Sequence, residues 1–129
     1  MIQPFEIEII VPTSAIDDMN HVNNVVYLQW IQDVAKQHWQ HKTDPSMREH
    51  FVWVVMNHYI EYHAPAFAEQ RLKLKTWIDH HQGAKSERRT EIINVETNQL
   101  VVTAKTNWCL LQNKNLRPTR ITEEISNLF

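Results

Sequence analysis

Cysteine is almost missing from this chain. Cys109 is the single one in 129 residues, so no internal disulfide can form. A reducing cytoplasm is therefore the expected compartment. Glycine is equally scarce, with Gly83 alone. That excludes the Gly-rich loops that cradle phosphates, and with them P-loop and Rossmann nucleotide sites. No run approaches the ~18 apolar residues of a membrane helix. The opening "MIQPFEIEIIVP" has neither a basic start nor a long apolar stretch, so no signal peptide is expected. Charge of one sign is lacking too. Thirteen Lys and Arg against fifteen Asp and Glu leave a net charge of -2, which is no basic footprint for nucleic acid. Repeats, low-complexity segments and linkers are also missing.

What remains is an ordinary globular balance, 43% hydrophobic and 22% charged. Such a chain suits one domain, expected over residues 1–129. "FEIEIIV", residues 5–11, is β-rich and stopped by Pro12, which predicts a first strand. A polar loop over 13–23 follows. From Asn23 or Asn24 to Gln40 the apolar residues keep a helical period. Tyr27, Leu28, Trp30, Ile31, Val34, Ala35, His38 and Trp39 share one broad arc. "HKTDPSMREH" is a polar connection with a turn at Asp44-Pro45. Strands are then expected over 51–63, 71–78, 87–96 and 100–112, and the tail "NKNLRPTRITEEI" should pack on the surface. One helix with so wide an apolar face needs a sheet curled around it, an α+β arrangement. Trp53, Val55 and Val101 are expected on the outer sheet face, where they would favour subunit pairing.

The densest chemistry lies in "AIDDMNHVNNVVYLQW", residues 15–30. A helix N-terminus offers unpaired backbone N–H groups and partial positive charge. Such an end can polarise a carbonyl or receive an oxyanion. Asn23 or Asn20 suits the N-cap. Asp17 or Asp18, just upstream, supplies a carboxylate that could activate water or attack a carbonyl. Asp and Asn before a helix also serve plainly as caps and turn formers.

"DDMNHVNNVVYLQWIQDVA" resembles the D-x-x-G-H-V-N-N-x-x-Y-L motif of hotdog-fold thioesterases, in the branch of the 4-hydroxybenzoyl-CoA and acyl-ACP enzymes. "IEYHAPAFAEQRLKLKT" is similar to the family's I-x-Y-x-x-P-A-x-x-G-D, and "LRPTRITEEI" to its closing R-P-x-R-I-P-x-E. The resemblance spans nearly the whole chain. It implies a hotdog fold, a five-stranded antiparallel sheet wrapped around one long central helix. It implies hydrolysis of an acyl-CoA or acyl-ACP thioester to the free acid, with no cofactor. By the motif, Asp17 rather than Asp18 is the catalytic acid. His21, Asn23 and Asn24 stand at the helix entrance, with the carbonyl-binding N–H around Asn24. Tyr27 packs or lines the acyl pocket. A homodimer or a homotetramer is implied, because one small sheet cannot enclose a long acyl-pantetheine tunnel. The departures are Asn20 for the motif Gly, Gln32 where the family often has Glu, Glu69-Gln70 for Gly-Asp, and Met19 where plant-type enzymes carry Asn. The changes at Asn20 and Gln32 keep a second reading open, a non-catalytic protein that binds acyl-pantetheine ligands or a partner chain.

Other residues draw weaker expectations. His58 and His63 lie on the strand expected beside the helix, and one of them, His58 first, could border the site. Arg88 and Arg89 could meet the phosphates of coenzyme A or of phosphopantetheine. The eight histidines sit on different elements, so no metal site is expected. Cys109 reads as a structural thiol.

Overall fold

The computed structural model describes residues 3–129. Strand β1 (Phe5–Ile10) leads through a single 3₁₀ turn and the polar loop into helix α1 (Asn24–Lys42). A short helix α2 (Pro45–His50) precedes the strands β2 (Phe51–Tyr62), β3 (Arg71–Gln82), β4 (Lys85–Asn94) and β5 (Leu100–Gln112). Helix α3 (Glu123–Ser126) closes the described chain. The five strands form one sheet in the order β1-β3-β4-β5-β2, with antiparallel neighbours throughout. Helix α1 lies in the concave face of that sheet. The α+β hotdog architecture expected from the sequence is therefore the one observed.

The packing follows from periodicity. Tyr27, Ile31, Val34, Ala35 and His38 repeat at helical spacing and are the buried residues of α1. Against them pack Leu72 and Leu74 of β3, Ile92 of β4, and Val102 and Ala104 of β5. Alternation puts these strand residues on one face. A smaller cluster of Leu110, Ile121 and Ile125 lies towards the far end of α1, with Trp39, Trp53 and Phe129 against it.

Several expectations change. The polar connection contains α2, because Asp44 caps it by accepting from the Met47 N–H at 2.8 Å, and Pro45 occupies its first turn. The strand expected over 71–78 runs on to Gln82 and the next begins at Lys85, so only Gly83-Ala84 turn between them. Gly83 has φ +62, which a glycine adopts without strain. The tail does not merely lie on the surface, since Ile121 and Ile125 are buried.

Trp53, Val55 and Val101 are not outer-face residues. The β2–β5 register shifts between Val55 and Asn57. Trp53 pairs with buried Leu110, Val55 with Trp108, and beyond the bulge His58 pairs with Thr106 and Ile60 with Ala104. The extra residue reverses the alternation, so 53, 55, 58 and 60 share the inner face. Val101 is 1% exposed and sits at the β4–β5 irregularity between Ile92 and Ile93. Among the described residues no helix is long and apolar enough to cross a membrane.

Candidate active site

The loop before α1 is tied at both ends. Ile16 and Val22 form an isolated antiparallel bridge. Between them the Asp17 N–H donates to the His21 carbonyl at 3.1 Å, and the Asn20 N–H donates to the Asp17 carbonyl at 3.0 Å. The Asp17 carboxylate accepts from the Met19 N–H at 2.9 Å. Asn20 has φ +66, the left-handed turn that the motif Gly would supply, and Asn tolerates it better than other side chains. The Val22 N–H donates to the Ala66 carbonyl and the Asn23 N–H to the Ala15 carbonyl, which pins the loop to the Pro65-Ala66 segment.

Each motif residue then has a definite place. Asn23 is the N-cap of α1, and its side chain accepts from the Val25 N–H at 2.9 Å. Asn24 is the first helical residue and is exposed. Its backbone N–H has no hydrogen-bond partner among the described residues. That leaves a free donor at the positive end of a 19-residue helix. The His21 ring makes no polar contact among the described residues and meets the Phe67 ring edge-on at 6.3 Å. Tyr27 points the other way, into the core, against Trp30 and Tyr62. Burial pushes its phenol up to about 12, with the Ala66 backbone opposing weakly. Glu69, with φ +70, turns the neighbouring segment as the family's Gly would.

His58, Arg88 and Arg89 lie elsewhere. His58 is on the inner face of β2, where its Nδ1 is 2.8 Å from the Thr106 hydroxyl and its Nε2 is 3.3 Å from the Gln32 amide. Burial lowers its pKa. Arg88 is 6% exposed, also on the inner face, and donates to His38 Nδ1 at 2.9 Å and to the Thr76 hydroxyl at 3.1 Å. Arg89, the next residue on a strand, points outward and approaches Asp79 and Glu87, each at 3.8 Å. The two arginines therefore cannot grip one phosphate together. Near Arg89, ligand atoms of Asp79, His80 and Glu87 lie within 4.8 Å of one another, but Glu87 also meets Lys105 at 3.7 Å. That exposed group is already balanced by cations.

The pattern reasoning overlooked a polar layer under α1 made by Arg88, His38, Thr76 and Thr90, and by Gln32, His58 and Thr106. A cavity of about 630 Å³ adjoins this layer. Gln32, Trp39, Trp53, Arg88 and Trp108 are among its walls, whereas Asp17, His21, Asn23, Asn24 and Tyr27 are not. The loop and the cavity are thus two separate places along the same helix.

The family model described as the acyl-ACP thioesterase N-terminal domain matches residues 3–129. No curated protein sequence matches the chain. Among solved structures, the chain is similar to a 1,4-dihydroxy-2-naphthoyl-CoA thioesterase from Synechocystis, 17% identical with a TM-score of 0.84 over 98% of this chain and 95% of that one. It is similar to a 4-hydroxybenzoyl-CoA thioesterase mutant complexed with 4-hydroxybenzoyl-CoA, 14% identical with a TM-score of 0.87 over 97% of each chain. A Staphylococcus aureus protein in complex with CoA is 16% identical, with a TM-score of 0.86 over 98% of this chain and 81% of that one. At such identities the structural likeness is one of fold.

Proposed function

The chain belongs to the acyl-ACP thioesterase family, and from that footing we propose that it hydrolyses an acyl thioester, carried by CoA or ACP, with Asp17 as general base or nucleophile. The observation that carries this reading is the free Asn24 N–H at the head of α1, directly after the tied loop that holds Asp17. The thioester carbonyl oxygen would accept from that N–H, and the helix end would stabilise the negative charge developing there. Asp17 would take a proton from water as the water oxygen bonds to the carbonyl carbon. The C–S bond then breaks, and the departing thiolate takes up a proton. As nucleophile, Asp17 would instead form an acyl anhydride that water opens in a second step. Neither route needs a metal or a cofactor. Asn23 would hold the helix end, His21 would stiffen the loop, and Tyr27 would back the acyl group. A homodimer would complete the acyl-pantetheine tunnel.

The test is turnover of a panel of acyl-CoA and acyl-ACP thioesters by wild type and Asp17→Asn. A general base contributes roughly 10²–10⁴-fold, so the variant should lose at least about 100-fold in kcat with little change in KM. Full activity in the variant, or a wild type inactive on every thioester, would overturn the reading. One observation favours the rival, a protein that binds acyl-pantetheine without turnover. Gln32 is an amide held against His58, so this helix position provides no second carboxylate. Binding of acyl-CoA with no Asp17-dependent hydrolysis would select that reading.

A further inference from the structure

Arg88 is the anomaly of the interior. It is nine-tenths buried, yet no carboxylate lies within salt-bridge distance of it among the described residues. A buried charge is retained only when something neutralises it. Its partners among the described residues are neutral, His38 and Thr76, and both are reached by the same nitrogen, Nη1. Among the described residues the other guanidinium nitrogens have no partner, and the residue lines the 630 Å³ cavity. Burial alone holds its pKa down to about 9, so the fold does little to compensate the charge.

The surroundings repeat the same polarity. Ser86 lies two residues before Arg88 on the same strand face, pairs across to Trp108, and also lines the cavity. A guanidinium only donates, and a hydroxyl can do so. A ligand suited to them must bring acceptors and a negative charge. The remaining walls are mixed, with Gln32, Asp33 and Lys36 on one part and Trp39, Trp53 and Phe129 on another, and the aromatic part would take an apolar ligand body.

The geometry points to a carboxylate site inside this cavity, in which Arg88 grips the acid group of a mostly apolar molecule, with Ser86 as a further donor. A planar guanidinium fork matches a carboxylate in bidentate fashion, and one monoanion balances one cation. Two sources share this chemistry. One is an acyl thioester whose far end bears a second carboxylate. The other is the free acid released by hydrolysis and retained in the cavity. Only the choice between sources rests on the thioester-hydrolase reading; binding itself does not.

Two measurements decide it. The first is calorimetric titration of the protein with octanoate and with 1-octanol, which differ in the charged head. Wild type should bind octanoate at least tenfold more tightly, and Arg88→Met should lose that preference while still binding octanol. Equal affinity for both probes in wild type, or an undiminished preference in Arg88→Met, overturns the site. If Arg88→Met does not fold, Arg88→Lys replaces it, keeping the charge without the fork. Its preference should fall severalfold, and an undiminished one again overturns the site. The second measurement compares suberyl-CoA with octanoyl-CoA as substrates. A KM at least tenfold lower for suberyl-CoA, lost in the Arg88 variant, assigns the site to a distal carboxylate. Equal KM values with Arg88-dependent inhibition by octanoate assign it to the released acid. A protein that prefers octanoate through Arg88 but hydrolyses no thioester of the full CoA and ACP panel keeps the site and loses the hydrolase reading.

Discussion

His38 shows how far a single residue can depart from its type. It belongs to the apolar arc of α1, is 1% exposed, stacks on Phe5 at 5.0 Å and meets Phe129 edge-on at 4.9 Å. Arg88 has no acceptor to offer, so His38 Nδ1 must accept, and the proton resides on Nε2. Burial, then the Arg88 charge, lowers its pKa from 6.5 to about 3. The unfolded chain therefore takes up a proton below pH 6.5 that the folded chain refuses until about pH 3. Folding stability contributed by this residue is full above pH 6.5 and is lost as pH falls through that window. The slope is up to about 1.4 kcal/mol per pH unit. His38→Gln keeps an acceptor for Arg88 without titrating. Between pH 7 and pH 5, wild type should lose about 2 kcal/mol more than the variant in urea unfolding. Parallel losses in both proteins would refute this account. The position of Arg88 was legible in "ERRTEIIN", because it alternates in phase with Thr90 and Ile92 while Glu87, Arg89 and Glu91 take the other face. A reading that treats both arginines alike as phosphate contacts passes over that parity.

At the scale of the element, the sequence was most informative where one local rule governed. The α1 boundary at Asn23-Asn24 followed from capping chemistry, and its buried face from a 3.6-residue period. What escaped was whatever depended on a neighbour. The β2 bulge exists only relative to β5, so strict alternation put Trp53 and Val55 on the wrong face. The α2 cap was visible as Asp44-Pro45 but was overshadowed by the turn that the same pair also favours. The two caps make a controlled comparison. Asn23→Ala and Asp44→Ala should each cost about 1 kcal/mol in chemical denaturation. Only the first frays the helix end that carries the Asn24 N–H. Asn23→Ala should therefore also lower kcat severalfold on an acyl-CoA substrate, and Asp44→Ala should leave kcat unchanged. Equal effects on kcat would mean that the α1 end has no special part in turnover.

For the whole molecule, the two edges of the sheet are unlike. β1 is a six-residue edge with Glu6 and Glu8 on its exposed side, and Glu8 pairs with Arg71 at 3.0 Å. Charges of this kind discourage a second strand from adding there. β2 is a twelve-residue edge in which Glu61 is the one Asp, Glu, Lys or Arg, and Met56, Tyr59 and Tyr62 are 50%, 62% and 46% exposed. A long, weakly charged edge with exposed aromatics is what a second copy of the chain would cover. Antiparallel pairing of two β2 edges obeys twofold symmetry and would join two sheets into one continuous surface. With Met56 facing Tyr59, it would also set the cavity flank bearing Phe51, Val52 and Trp53 beside the Tyr62 end of the other copy's β2. The expectation is a dimer by light scattering across dilution. Met56→Lys combined with Tyr59→Lys should shift it to monomer by setting like charges across the shared edge. If the tunnel is shared, hydrolysis falls in step with the dimer fraction and recovers at higher protein concentration. A stable monomer that turns over at full rate would confine the whole site to one chain, and the Asp17 loop would then have to act without help from across the β2 edge.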